Sequence, residues 1–109
     1  MESVRLAVHA DRTEVVLQGG LSIAQTRETH QQLNAALARG QPIIVDADKL
    51  ERVDGAGAQL LLAFCRVARE RGLGLEWRRV SPALDHVAQL LGLTELLGIA
   101  GGPSDVPSP

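Results

Sequence analysis

The chain has 109 residues and a net charge of −2, with 45% hydrophobic, 22% charged and only 2% aromatic residues. These values are typical of one globular domain with a single hydrophobic core. The acidic balance and the scarcity of aromatic side chains argue against nucleic-acid binding, which relies on basic patches and exposed rings. A lone cysteine, Cys65, excludes an internal disulfide and a multi-cysteine zinc site, and its apolar helical position predicts a buried packing residue.

The N-terminus is not basic, and no apolar run of signal-peptide length follows it. The longest strictly apolar run, Leu60–Cys65, is too short to cross a bilayer. We therefore predict a cytoplasmic protein that does not insert into a membrane.

The N-terminal part of the chain predicts a β-hairpin followed by a helix. Hydrophobic residues alternate with other residues over 4–8, and residues 13–18 (TEVVLQ) are rich in β-branched side chains. The segment Ser22–Gln25 matches the capping-box pattern of a helix start. The helix predicted over residues 23–39 places His30 on or beside its apolar face, where a partly buried packing role is more common than ligand binding.

The central stretch predicts a buried strand, a tight turn and a second helix. Residues 43–45 (IIV) form a continuous apolar run, which is typical of a central strand covered on both faces. The segment Asp54–Gly57 (DGAG) has the composition of a turn. The leucine-rich segment after it keeps a helical period as far as Gly72, so a helix is predicted there.

The C-terminal part predicts a fourth strand, a third helix and a tail. Residues 73–77 alternate in polarity, and Ser81 with Pro82 supplies a hydroxyl cap and a proline at the first helical position. Glycine, proline and serine dominate from residue 100 onward, which predicts a disordered tail at 100–109 after a domain over residues 1–99.

The predicted order of elements is β-β-α-β-α-β-α. Connections through a helix join parallel strands and are right-handed, whereas the first two strands are close enough for a hairpin. The predicted fold class is therefore α/β: a mixed four-stranded sheet that begins with a hairpin, continues through parallel crossovers and carries amphipathic helices packed on it.

The Asp54–Gly57 turn is the best candidate for a working surface. A helix that begins there directs free backbone N–H groups and the positive end of its dipole at whatever lies opposite. The two glycines are only a fragment of a phosphate-binding loop, because the Walker lysine and the dinucleotide-binding glycine pattern are missing. A structural role explains the same residues equally well, with Asp54 capping the helix and the glycines shaping the turn.

No other group of residues predicts chemistry. A predicted acidic loop lacks the order of a calcium-binding loop, so we expect solvated charges and neither a metal nor another cofactor. Clustered arginines lack interleaved aromatic residues, which argues against a nucleic-acid partner. No nucleophile has a recognisable base beside it, so an enzyme is not predicted. The acidic set is Asp46, Asp48, Glu51 and Asp54; the basic set is Arg66, Arg69, Arg71, Arg78 and Arg79.

Two segments, residues 43–75 (IIVDADKLERVDGAGAQLLLAFCRVARERGLGL) and 78–99 (RRVSPALDHVAQLLGLTELLGI), resemble the STAS domain of sulfate transporters and anti-sigma-factor antagonists. In bacterial antagonists of that family the turn reads D-S-S-G or D-T-S-G, and the hydroxyl before the last glycine is phosphorylated by the partner kinase. Here Ala56 occupies the phosphoacceptor place and Gly55 has no side chain to replace it. The resemblance implies a stand-alone bacterial STAS domain without that switch.

The resemblance also implies a non-enzymatic module that binds an anti-sigma, histidine-kinase-like ATPase. The family's frequent acidic residue after the second strand is replaced by Ser22. The residues expected to contact the partner are Asp46, Asp54, Gly55, Ala56, Gly57 and Gln59.

Other functions stay open at the level of the sequence. Relatives serve as accessory subunits of phospholipid-transport ABC systems, where the partner is the ABC ATPase. Others resemble signalling adaptors of chemotaxis operons, where the partner is a chemotaxis kinase, and Gln59–Ala63 favours that group. A small-ligand domain that binds an anion or a nucleotide at the helix terminus is a further alternative. The sequence leaves the oligomeric state open.

Overall fold

The computed structural model of the chain describes residues 4–22 and 26–99. Gln25 of the expected capping box and the expected tail from residue 100 lie outside the described residues. The strands are β1 (Val4–Val8), β2 (Thr13–Leu21), β3 (Ile43–Val53) and β4 (Leu75–Val80). The helices are α1 (Thr26–Ala38), α2 (Gly55–Glu70), α3 (Pro82–Leu91) and α4 (Thr94–Leu97).

The four strands form one sheet in the order β1-β2-β3-β4. Strands β1 and β2 are antiparallel, whereas β2 with β3 and β3 with β4 are parallel. The predicted hairpin, the two parallel crossovers and the mixed four-stranded sheet are therefore confirmed. The last helix of the predicted order is split, since α3 ends at Gly92 in a left-handed conformation and one further turn, α4, follows.

One face of the sheet holds the hydrophobic core. Val15 of β2 and Val45 of β3 are opposite each other in the ladder and are both buried. Helix α1 packs on β1 and β2, helix α2 packs on β3 and β4, and the two helices contact each other. Leu33 of α1 and Leu61 of α2 belong to the same buried cluster as the strand residues. Apolar residues at helical and strand spacing thus meet in a single layer.

The other face of the sheet, which we call the outer face, carries Glu14, Ile44, Asp46 and Arg78. Ile44 is only half-buried and is paired in register with Glu14 and Glu76. The prediction that the central strand is covered on both faces was therefore wrong. Helices α1 and α2 contact each other and contribute to one buried cluster, so both crossovers put their helix on the same side of the sheet.

Strand β3 is longer than the sequence pattern indicated. Asp46, Asp48 and Glu51 lie within β3, not in a loop between a short strand and a turn. Ala47 and Leu50 are both buried; Ala47 lies within the first register shift between β2 and β3, and Leu50 lies just before the second. The strand continues because these two apolar residues keep its inner side in the core while the acidic residues face away from it.

Two expectations about single side chains had different outcomes. His30 is exposed, and the buried residues of α1 are Thr29, Leu33, Ala36 and Leu37, so the expected packing role of His30 was wrong. Cys65 is fully buried in α2, as predicted. Burial raises the pKa of the Cys65 thiol to about 11, against a smaller opposite effect of Arg69. The thiol is therefore protonated and behaves as a small hydrophobic residue.

Candidate functional site

The candidate site lies at the edge of the sheet where β2 and β3 end. Parallel strands present their carboxyl ends at the same edge, so Leu21 and Val53 lie opposite each other in the ladder. The Asp54 N–H donates to the Leu21 carbonyl oxygen at 3.1 Å, which ties the end of β2 to the start of α2. We call this region, from residues 20–22 across to residues 52–59, the apex.

Asp54 is the N-cap of α2. Its backbone is extended, with φ −97° and ψ 179°, and its carboxylate oxygen Oδ1 accepts a hydrogen bond from the Gly57 N–H at 2.8 Å. That bond satisfies one of the N–H groups that have no partner inside the helix. The first turn of α2 contains no acidic residue of its own, so the positive end of the helix dipole there is offset mainly by Asp54.

The two glycines of the motif have different roles. Gly57 is buried, and a Cβ built on it would collide with the Leu21 carbonyl oxygen and lie 2.9 Å from the carbonyl carbon. Only glycine allows α2 to approach the backbone of β2 so closely. Around Gly55, in contrast, no atom lies within 4 Å of the position that a Cβ would take. Gly55 is therefore not required by packing.

The expected contact residues divide into three groups. Asp54, Gly55 and Gln59 are exposed, and Ala56 is half-buried in the first turn of α2. Gly57 is buried beneath them. Its burial follows from the close packing of α2 on Leu21.

Asp46 does not belong to the apex. It lies seven residues before the end of β3, which at the usual rise of a strand is roughly 20 Å away along the strand. Its carboxylate accepts from the Asp48 N–H at 3.1 Å and lies 4.0 Å from an Arg78 nitrogen. Asp46 therefore joins the outer face, and the sequence could not separate it from the turn while β3 was taken to be short.

A residue that sequence reasoning missed is Arg52. It lines an open cleft of about 260 Å³ at the apex, together with Gly20, Leu21, Ser22, Val53 and Asp54. The guanidinium lies over Gly20 of the neighbouring strand, since a Cβ at Gly20 would be 3.6 Å from its Nε and from one terminal nitrogen. Its position two residues before Asp54 is the only sequence signal that could have indicated it.

Charges on the outer face are paired with one another. The Glu14 oxygen Oε2 accepts from Arg78 at 3.0 Å and from Arg12 at 3.4 Å, and His9 Nε2 lies 3.6 Å from it. The hydrogen bond from Arg78 lowers the pKa of Glu14, although partial burial acts in the opposite direction. The same bond raises the pKa of Arg78.

Neither a metal-binding cluster nor a membrane-spanning helix is found in residues 4–22 and 26–99. No group of three or more histidine, cysteine or acidic side chains is placed to hold a metal ion there. Among the helices of the same residues, none combines the length and the apolar character that a membrane crossing requires.

Comparison with known families and structures places the chain in one class. Residues 4–98 match the family model described as "Mlab, STAS domain". Because this match spans most of its length, the chain belongs to the STAS domain family. No curated protein sequence matches it.

Solved structures with the same fold include an anti-sigma factor antagonist from Mycobacterium paratuberculosis. Its TM-score is 0.71 at 22% identity, over 87% of this chain and 81% of that one. SpoIIAA, an anti-sigma factor antagonist in its unphosphorylated form, has a TM-score of 0.67 at 22% identity, over 85% and 84% of the two chains. Mglu matches with a TM-score of 0.65 at 17% identity, over 73% of this chain, which spans only 20% of Mglu. At these levels of identity the matches show a shared fold and nothing about function.

Proposed function

We propose that this protein is a non-enzymatic interaction module of the cytoplasm, which docks through its apex on a regulatory protein with a kinase-like ATPase fold. The observation that carries the proposal is the position of Ala56. It lies in the first turn of α2 between the exposed Asp54 and Gln59, at the place where the family's antagonists carry a phosphoacceptor. A partner that recognises this turn in relatives would meet the same backbone here.

Docking in this protein is proposed to be independent of phosphorylation. SpoIIAA has been solved in a phosphorylated as well as an unphosphorylated form. A phosphate adds about −1.5 to −2 charges, and at a docking surface it repels or reshapes the contact. No residue between Lys49 and Arg71 has a hydroxyl group, so α2 has no acceptor for it. The apex would stay in the binding-competent state.

The side chains with catalytic potential support a non-enzymatic role. The Ser81 hydroxyl caps α3 by accepting from the Leu84 N–H at 3.2 Å. His9 lies against Glu14 on the outer face, and His30 lies against Asn34 on α1. These three groups serve separate local contacts on separate elements, whereas acid–base catalysis at a serine needs them within hydrogen-bond reach of each other.

A second partner follows from the name of the matching family. The description of the family model that matches residues 4–98 names Mlab and does not name an anti-sigma-factor antagonist. The STAS resemblance includes accessory subunits of phospholipid-transport ABC systems, so an ABC ATPase is the second candidate. Both partners would use the same apex, and the identity of the captured protein distinguishes them.

The test is affinity capture from native lysate with wild-type protein and the variant Ala56→Glu. Glutamate in the first turn of a helix is favourable for the helix dipole, so the fold should persist. We expect the captured partner to bind the variant at least about tenfold more weakly, because the added charge sits within the contact. Ala35→Glu, on the exposed side of α1, adds the same charge away from the apex and should bind as the wild type does.

Equal binding by wild type, Ala56→Glu and Ala35→Glu would contradict the proposal, since the contact would then lie elsewhere on the domain. Circular dichroism and thermal unfolding of the three proteins establish that a loss of binding is not a loss of fold.

A further inference from the structure

The cleft at the apex is lined by one positively charged side chain, that of Arg52. We propose that it accepts an acidic side chain of the partner protein, so that the partner presents a carboxylate to this part of the apex. The inference rests on the proposed docking function and specifies the chemistry of the contact.

Arg52 is free to pair with an incoming carboxylate. Within residues 4–22 and 26–99 no acidic side chain lies within ion-pair distance of its guanidinium, although Glu51 precedes it directly in the chain. The Asp54 carboxylate lines the same cleft, but it accepts the hydrogen bond from the Gly57 N–H and so serves the helix cap. An arginine fork can bind a carboxylate through two parallel hydrogen bonds.

The backbone opposite Arg52 leaves room for its side chain at the cleft. Gly20 is opposite Arg52 in the β2–β3 ladder, and the guanidinium lies above it because glycine leaves that space open. The side chain therefore crosses from β3 toward β2, where Ser22 forms another part of the wall.

The electrostatics of the cleft favour an anion. Arg52 supplies a full positive charge. The Asp54 carboxylate on the same wall and the positive end of the α2 dipole offset each other at the helix cap, so the Arg52 guanidinium is the charge that a ligand would meet. Ser22 is neutral and adds no charge to the cleft. A partner with a basic residue facing Arg52 would be disfavoured.

The shape of the cleft favours a protein side chain over a free ligand. Its volume of about 260 Å³ is below the usual range of small-molecule sites, roughly 300–1,000 Å³, and it opens on the same surface as Asp54. A protein seated on the first turn of α2 would cover the cleft and shield the new ion pair from water. Shielding of this kind strengthens a charge pair.

The test is an NMR titration of the whole ¹⁵N-labelled protein with the peptide acetyl-Glu-Glu-Glu-amide. We expect saturable shifts of the Arg52 Nε–H signal and of the backbone amides of Gly20, Ser22 and Val53, with weak affinity because the peptide lacks the rest of the partner. The shifts should disappear in Arg52→Gln and persist in Arg71→Gln, which removes an exposed arginine at the other end of α2. The glutamine peptide should have no effect.

Three outcomes would overturn the inference. The first is the absence of saturable shifts around Arg52, and the second is identical shifts in Arg52→Gln. The third is tighter binding of inorganic phosphate than of the peptide, which would define a site for free anions.

A parallel capture experiment separates this inference from the proposed function. If Ala56→Glu releases the partner while Arg52→Glu retains it, the apex is the docking surface but the carboxylate contact is wrong. If both variants retain the partner while the peptide binds at Arg52, the cleft binds acidic groups and the proposed function is wrong. Release by both variants supports both statements.

Discussion

Arg52 and Arg78 lie on adjacent strands of one sheet, yet only Arg78 has an acidic side chain within ion-pair distance in the described residues. The Arg78 guanidinium donates a hydrogen bond to the Glu14 carboxylate at 3.0 Å on the outer face, so its charge is already paired within the domain. Arg52 lies over Gly20 at the apex, beside a helix start and an open cleft. The comparison shows that charge alone does not mark a binding surface. Charges that neutralise one another serve the fold, whereas Arg52, near the end of β3, has no ion pair within residues 4–22 and 26–99 and is available to a partner.

The largest effect is expected from breaking the apex itself. Gly57→Val should lower the free energy of unfolding by about 3 kcal/mol or more, because a branched side chain would be forced against the Leu21 carbonyl group. Gly55→Val is the matched control and should change stability by less than about 1 kcal/mol, since its side chain would meet open space. Urea denaturation measures both, and equal losses would contradict the different roles of the two glycines.

A smaller effect is expected from removal of the cap. Asp54→Ala should destabilise the protein by about 1 kcal/mol, because the Gly57 N–H loses its acceptor at 2.8 Å. Asp54→Asn keeps a capping oxygen and should recover most of the stability while removing the charge. A partner that binds Asp54→Asn normally would show that the cap matters at the apex and that the negative charge does not.

The two arginines provide the most direct comparison between the regions. Arg78→Gln should lower the thermal midpoint slightly, because Glu14 loses its shortest hydrogen bond. Arg52→Gln should leave the midpoint unchanged and weaken partner binding instead. Both variants are measured by thermal unfolding and by partner capture. The proposed roles are wrong if Arg52→Gln lowers the thermal midpoint or if Arg78→Gln weakens partner binding.

The smallest effect concerns the response of the outer face to acid. The pKa of Glu14 is lowered below 4.5, chiefly by the hydrogen bond from Arg78. Its contribution to stability is therefore fully present above the unfolded-state pKa and is lost as the pH falls through the lower folded-state value. Glu14→Gln should show a shallower decrease in stability between about pH 5 and 3 than the wild type. Identical profiles would mean that Glu14 is not coupled to the fold.

Elements that depend on local sequence could be predicted, whereas the length of β3 could not. The hairpin, the crossovers and the helix start at Asp54 depend on local periodicity and capping, so residues 4–8 and 54–72 predict them without knowledge of distant contacts. The length of β3 could not be obtained this way. Its acidic residues resemble a loop in sequence. They belong to a strand because Ala47, paired with Val80 of β4, and Leu50, paired with Gly19 of β2, are both buried in the core.

The cleft around Arg52 could not be predicted from sequence for a similar reason. The cleft around Arg52 exists because Gly20, thirty-two positions earlier in the numbering, is placed opposite it by the β2–β3 ladder. Local patterns contain no information about that register. The exposure of His30 was likewise decided by which side of α1 meets α2, where Leu33 and Leu37 form the buried face.

The most direct test of the account is site-specific photo-crosslinking in native cells, because it asks which face of the domain meets a partner. A photo-reactive amino acid is placed either at Gln59 on the apex or at Glu76 on the outer face, and both positions are exposed. If the protein docks through its apex, the probe at Gln59 yields a discrete crosslinked protein, and this product is lost when Ala56→Glu is added. The probe at Glu76 yields no such product. Crosslinking from Glu76 without any from Gln59 would contradict docking through the apex.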